Sequence, residues 1–332
     1  MKAPSSRAQF MVLCFAMLNG FVSAAEDDLR HTITKGLAYI AKSGNVWMEE
    51  KNCNGCHHLP EMLWSHREAQ RRGFAIDQAK YDEWLAWAKP KVKGIAAGVE
   101  QVAFMTMALP EQPPEDARKL ITDALQKDGT WKPAGQFVAQ RRATDEAKLN
   151  SMRIFLLGLA GTESGRKTAD EVRAKSGAWM TATQAAHPPQ AIDTVAFQAL
   201  YAQKFGLKEE RAAAQTALLN HQREDGGWSW VIGDPQSDAL ATGQVLYALH
   251  ELGDAGSKDA IERGQQWLIR NQAADGSWPV KVGWYSTNDR TDPKKPGSLK
   301  AVTGIYTDWA AGWATIALLQ GLPVQGQELA SP

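Results

Sequence analysis

The sequence has little cysteine: Cys14, Cys53 and Cys56 are the three thiols in 332 residues. That count excludes a multi-disulfide scaffold, and nothing after Cys56 can supply a thiolate to a metal. No charge of one sign is in excess either, with 37 basic and 37 acidic residues, which argues against a nucleic-acid partner or an anionic membrane surface. Long apolar runs are also missing. The stretch from Phe10 to Leu18 is too short to cross a bilayer, and no later stretch approaches the roughly 20 residues that a spanning helix needs.

The first residues instead have the layout of a secretory signal. Lys2 and Arg7 precede the apolar core, and the small residues Val22-Ser23-Ala24 precede an acidic stretch. Residues 1–24 are therefore expected to be removed from an exported, periplasmic or secreted protein. Removing Lys2 and Arg7 leaves 37 − 2 = 35 basic residues against 37 acidic, a net charge of about −2.

What is plentiful is tryptophan, thirteen in all, set in a repeating pattern of helices. One set is amphipathic, with apolar positions at helical spacing: Ile33 to Ala41, Tyr81 to Ala88, Ala117 to Ala124, Ala169 to Trp179, Ala214 to Leu218 and Ala260 to Leu268. Between them fall segments that are apolar nearly all round: Val102 to Leu109, Leu149 to Leu159, Val195 to Ala202, Ala239 to Leu249 and Trp309 to Leu319. A helix without a continuous polar face is buried on all sides. With Leu59 to Gln70 as the first and most polar inner helix, the alternation predicts an all-α fold, an α/α toroid of six helix pairs in two concentric layers. It spans residues 30–322, and 323–332 form a flexible tail.

Each inner segment has an acid near its start: Glu61, Glu100, Asp145, Asp193, Asp238 and Asp308. Carboxylates there cap helices, because they accept the free N–H groups at the positive end of the helix dipole. The functional alternative is an acidic ring at one mouth of the toroid. His66, Arg67, Lys148 and Arg153 are further polar residues on inner helices and are candidates to line a cavity. The basic insertion from Lys281 to Lys300 is a candidate cover for the mouth or a docking loop.

Three turns between outer and inner helices share one pattern: Gln126-Lys127-Asp128-Gly129-Thr130-Trp131, Gln222-Arg223-Glu224-Asp225-Gly226-Gly227-Trp228, and Gln272-Ala273-Ala274-Asp275-Gly276-Ser277-Trp278. Glycine permits a left-handed turn, tryptophan supplies an apolar plate with one donor, and glutamine satisfies groups at a neighbouring helix end. These turns resemble the QW motifs of squalene–hopene cyclases, and the helix pairing resembles the toroid of terpenoid cyclases and protein prenyltransferase β subunits. The resemblance covers roughly residues 30–322 and is strongest over 207–322. It implies the toroid fold. The cyclase acid motif Asp-x-Asp-Asp-Thr has its nearest match in Gln190-Ala191-Ile192-Asp193-Thr194, which keeps one aspartate. The prenyltransferase zinc site requires a late cysteine, and this chain has none.

Cys53-Asn54-Gly55-Cys56-His57 fits the Cys-x-x-Cys-His pattern in which two thiols attach covalently to a haem and the adjacent histidine ligates its iron. Cys53, Cys56 and His57 are thus the expected sites for one haem c, with His57 on the metal. A disulfide, or a zinc site using His57 and His58, are the competing readings of the same residues. The distal ligand is open among Met62, His66, Met105 and Met107, and His58 is expected at the surface or behind the ligand. The motif occupies the turn of the first helix pair, where later pairs carry the QW pattern, so a haem there would lie at the rim beside Glu61.

The sequence favours an exported c-type haem protein on a toroid scaffold, acting in electron transfer with a redox partner protein or as the redox component of a larger system. A toroid-fold enzyme, cyclase-like or polysaccharide-lyase-like, with an isoprenoid, small-molecule or glycan ligand in the central cavity, is the alternative. A binding scaffold without chemistry is the third.

Overall fold

The computed structural model describes residues 6–51, 58–91, 99–110, 117–133, 137, 140, 142–161, 163–281 and 299–325, with backbone alone for 6–25, 51, 89–91, 99, 164 and 299–302. Among these it contains twelve α-helices and no strand. The outer layer consists of α1 (Ser6–Lys51), α3 (Gln78–Lys91), α5 (Ala117–Asp123), α7 (Glu163–Ala186), α9 (Lys208–Asn220) and α11 (Lys258–Asn271). The inner layer is α2 (Leu59–Arg71), α4 (Val99–Ala108), α6 (Thr144–Leu159), α8 (Ile192–Phe205), α10 (Ala239–Leu252) and α12 (Leu299–Gln320). Each inner helix packs on the next, and α12 packs back on α2, so the ring closes. None of the described helices is long and apolar enough to cross a membrane.

Burial follows the expected alternation. Every described position of α8 from Ile192 to Ala202 is buried, as are all positions of α10 from Ala239 to Leu249. On α9 Ala214 and Leu218 are the buried positions, the single stripe of an outer helix. Inner helices approach one another closely where a small residue allows it. A Cβ on Gly243 of α10 would stand 2.7 Å from the backbone of Trp313 and Ala314 on α12.

The three QW turns act as staples. The indole N–H groups of Trp131, Trp228 and Trp278 donate to the carbonyls of Ile121, Leu218 and Leu268 at 2.7, 2.7 and 2.9 Å, satisfying carbonyls near the end of the preceding outer helix that have no intrahelical partner. Gln222 Nε2 donates to Gly226 O within its turn and to Ala260 O on α11, at 2.9 and 2.8 Å. Gln272 Nε2 repeats this with Gly276 O at 3.1 Å and Thr32 O on α1 at 2.9 Å. Gly226 and Gly276 sit at φ of +94° and +90°, a region open to glycine at no steric cost.

One helix start differs from the sequence expectation. Asp308 does not start an inner helix, because α12 begins at Leu299 and Asp308 lies more than two turns inside it. The described chain also continues in contact past Leu322: Gln325 N donates to Arg71 O at 2.8 Å.

Candidate active site at the N-terminal mouth

The inner helices run parallel, so their N-termini meet at one mouth. Glu61, Glu100 and Asp193, in the first turns of α2, α4 and α8, line a single chamber there. With them are Gln101, Gln140 and Gln244 and the rings of Phe104, Phe137, Phe197, Trp309 and Trp313. The free space is about 40 Å³, room for roughly three water molecules. Trp313 closes its floor: its ring lies edge-on to Phe104 and Phe197 at 6.3 and 6.4 Å, and to Trp64 and Tyr247 below at 5.6 Å each.

The acids differ in what they touch. Glu100 Oε1 accepts from Ser151 Oγ at 2.9 Å. Asp193 Oδ2 accepts from Arg142 Nη2 at 2.7 Å in a buried ion pair, and the Arg142 guanidinium also lies 4.9 Å over the Trp230 ring. Among the described residues, no ion pair is formed by Glu61. Its Oε2 is buried without a hydrogen-bond partner, and burial, reinforced by the charge of Asp308, pushes its carboxyl up to about 8. A buried carboxyl with no compensating charge keeps its proton, since the neutral form loses less on leaving water.

Asp308 links this chamber to the start of α2. His58, immediately before α2, is hydrogen-bonded through Nε2 to Asp308 Oδ2, and its ring stacks on Trp47 of α1 at 4.6 Å and 26°. The Tyr39 hydroxyl also bonds Asp308, and burial, with that carboxylate, pushes the phenol well above its ordinary range. His58 is therefore buried, at 5% exposure, which removes the surface position of the two that its sequence place suggested.

The remaining acids are placed differently from the expected ring. Asp145 is half-exposed and pairs with His187 at 3.2 Å. Its neighbour Glu146 is the buried one, and its Oε1 accepts from the Gln190 and Ala191 amides and Thr194 Oγ1 at 3.0, 3.0 and 2.7 Å, bracing the start of α8. Sequence reasoning missed Glu146; adjacent acids at a helix start left the choice open. Asp238 is the cap that the sequence predicts, accepting from Ala241 N and Trp230 N at 2.8 Å each. The chamber thus gathers Glu61, Glu100 and Asp193, with Asp308 beside them.

Of His66, Arg67, Lys148 and Arg153, Arg67 is the one that lines a described cavity at the toroid axis. Arg153 is buried on the outward side, donating to Thr194 O and Gln184 Oε1 at 3.0 and 2.6 Å, and desolvation lowers it to about 10. Lys148 lies 4.6 Å over the Trp179 ring. His66 faces a groove between α1 and α3; its Nδ1 is 2.8 Å from Met62 O, and burial lowers it to about 4.

Cys53, Cys56 and His57 lie outside the described residues, as does most of the Lys281–Lys300 insertion. The motif falls between Lys51, which ends outer helix α1, and His58, which precedes inner helix α2. Of the four distal-ligand candidates, Met62 and Met105 are buried and His66 is turned to the α1–α3 groove. Met107 lines the cavity on the other side of Trp313. No cluster of three or more potential metal ligands occurs among the described residues.

Solved structures share this architecture. They include the type II terpene cyclase MstE from Scytonema (TM-score 0.53, 13% identity, over 89% of this chain and 99% of that one). A possible member of the GH105 family from Klebsiella pneumoniae aligns with TM-score 0.53 and 11% identity over 89% and 93%. A glycosidase variant aligns with TM-score 0.54 and 12% identity over 88% and 99%. The chain is an α/α toroid. At these identities the likeness is one of fold, and chemistry has to be read from the site. No protein-family model and no curated protein matches the sequence.

Proposed function

We propose that the protein is a toroid enzyme that starts its reaction by proton transfer from Glu61 to an unsaturated, apolar substrate of the isoprenoid class. The carrying observation is the placement of the Glu61 carboxyl, buried, without a hydrogen-bond partner at Oε2 among the described residues and facing aromatic rings; burial and the Asp308 charge push it up to about 8, which favours the protonated form at neutral pH. General acid catalysis needs a group that is protonated yet poised to release its proton near the working pH. Asp193, the residue nearest to a cyclase acid motif in sequence, is committed to Arg142.

In this reaction the Glu61 proton adds to one carbon of a C=C bond, the π pair becomes the new C–H bond, and the other carbon becomes cationic. The faces of Phe104, Phe197 and Trp313 stabilise that cation. Loss of a proton from an adjacent carbon to the Glu61 carboxylate restores the starting state. The chamber admits the reacting end of a substrate, whose remainder must extend through the mouth. MstE, one of the fold relatives, is known in complex with geranylgeranyl dihydroxybenzoate as its substrate, which supports the substrate class.

The test is consumption of prenyl alcohols and prenylated phenols by the wild-type protein and Glu61→Gln. The variant should lose about 10²–10⁴-fold. Equal turnover in Glu61→Gln removes the acid role, and no consumption of any prenyl substrate removes the class.

A second reading is motivated by Cys53, Cys56 and His57. The two cysteines would hold a haem through thioether bonds and His57 would ligate its iron, giving an exported redox protein with an electron-transfer partner; the signal-like pattern of residues 1–24 would provide the export this requires. The haem would supply one-electron chemistry. The neighbouring structure supplies an aromatic wall in Trp47 and an anchored His58. Protein from a host that matures c-type haem should carry a Soret band that survives denaturation. A colourless product with two free thiols rejects this reading and leaves the Glu61 proposal untouched.

A further inference from the structure

A second cavity, of about 720 Å³, opens at the opposite mouth, where all six inner helices end. Trp64 and Tyr247 form its floor and meet Trp313, so an aromatic partition separates it from the acidic chamber. Its volume falls within the range usual for small-molecule sites.

The walls are of two kinds. On one side, α2 and the residue that follows it set Arg67, Arg71 and Arg72 around the carboxylate of Glu68, with Arg67 and Arg71 at 2.7 and 3.1 Å and Arg72 also bonded. Arg67 and Arg72 are further committed to the carbonyls of Ala108 and Leu322, answering the negative ends of neighbouring helices. Arg71 is 45% exposed and reaches Glu68 through Nη1. Lys204, exposed on α8, stands on the helix across the ring. The lining holds four cations against two carboxylates, Glu68 and Glu251, a surplus of 4 − 2 = 2 positive charges. The facing wall is apolar, with Met107, Leu157 and Leu200.

We infer that this bowl binds an amphipathic organic anion, its carboxylate or phosphate head on Arg71 with Lys204 and its apolar body against Met107, Leu157 and Leu200. Guanidinium groups present a fork that matches both heads. A net-positive cleft with low-dielectric walls also draws anions in.

Titration calorimetry with decanoate and decyl phosphate, below micelle formation, tests this, with decanol and decyltrimethylammonium as neutral and cationic counterparts. At least one anion should bind tenfold or more tighter than decanol, as one charge-assisted hydrogen bond would give; which one binds tighter identifies the head. The double variant Arg71→Ala/Lys204→Ala, both side chains being exposed, should fold normally by circular dichroism, lose that preference and retain decanol binding. Equal affinity for the ammonium compound, unchanged anion affinity in the folded double variant, or no binding of either anion overturns the inference. Glu61→Gln should bind the anions as wild type does, which keeps this site separate from the acid chemistry above.

Discussion

His58 Nε2 is hydrogen-bonded to Asp308 Oδ2 across the seam where the last inner helix meets the first. Both residues are buried, and the chain between them runs once round the toroid. Asp308→Ala strands the imidazole and should cost about 3 kcal/mol, the scale for breaking a buried pair, in urea unfolding. Because the Asp308 charge helps to raise Glu61, the same variant should lower the Glu61 titration midpoint. An unchanged midpoint would mean that burial alone sets it.

Stability should depend on pH in opposite senses on the two sides of about pH 6.5. The Glu61 carboxyl is raised from 4.5 to about 8 in the fold, so its contribution is complete below 4.5 and is lost as pH rises to 8, by up to about 1.4 kcal/mol per unit. His66 and His250 are lowered from 6.5 to about 4 by burial, so their contributions are lost as pH falls from 6.5 to 4. Thermal midpoints across pH 4–9 should pass through a maximum near 6.5. Glu61→Gln should flatten the decline above it; a decline that persists in the variant assigns it to other groups.

Closure of the ring should be sensitive to Gln272. Its side-chain amide joins Gly276 O to Thr32 O on α1, and Gln272→Ala leaves both carbonyls without that donor, at a cost of about 1–2 kcal/mol. Trp228→Ala, which empties a buried plate within one staple, should cost about 3–5 kcal/mol. Chemical denaturation of the two variants checks the order.

Gly243 marks a close contact of α10 with α12. A methyl group there meets backbone at 2.7 Å, and backbone cannot turn aside as a side chain can, so Gly243→Ala should destabilise by about 1–3 kcal/mol. It should also shift Trp313, whose carbonyl it would strike, and so change tryptophan fluorescence. A variant with wild-type stability and spectrum would show that the helices separate freely.

Much of the fold was legible from period and punctuation. Outer helices carry one apolar stripe and inner helices carry none, so the segments that begin near Ala214 and Val195 declared their layers before any contact was known. The QW turns were legible because Gly226 and Gly276 need a left-handed backbone and Trp228 and Trp278 need an acceptor. The site was less so. The six acids were evident, but Asp145 and Glu146 are neighbours, and which one turns inward depends on how α6 packs on α8. Asp308 looked like a helix start because its segment is apolar from Trp309 onward, whereas the helix continues for more than two turns before it.

The sequence alone therefore determined the two-layer helical ring and its staples, since these follow from local periodicity and turn chemistry. It also carries the Cys53-to-His57 pattern, which is a matter of residue spacing. The tertiary structure decided which carboxyl stands without a cation among the described residues. Glu61 and Asp193 occupy like positions on like helices, and packing brings Arg142 to one and leaves the other buried. The same packing divided the axis at Trp313 into an acidic chamber and a cationic bowl, because side chains from six helices far apart in sequence meet there.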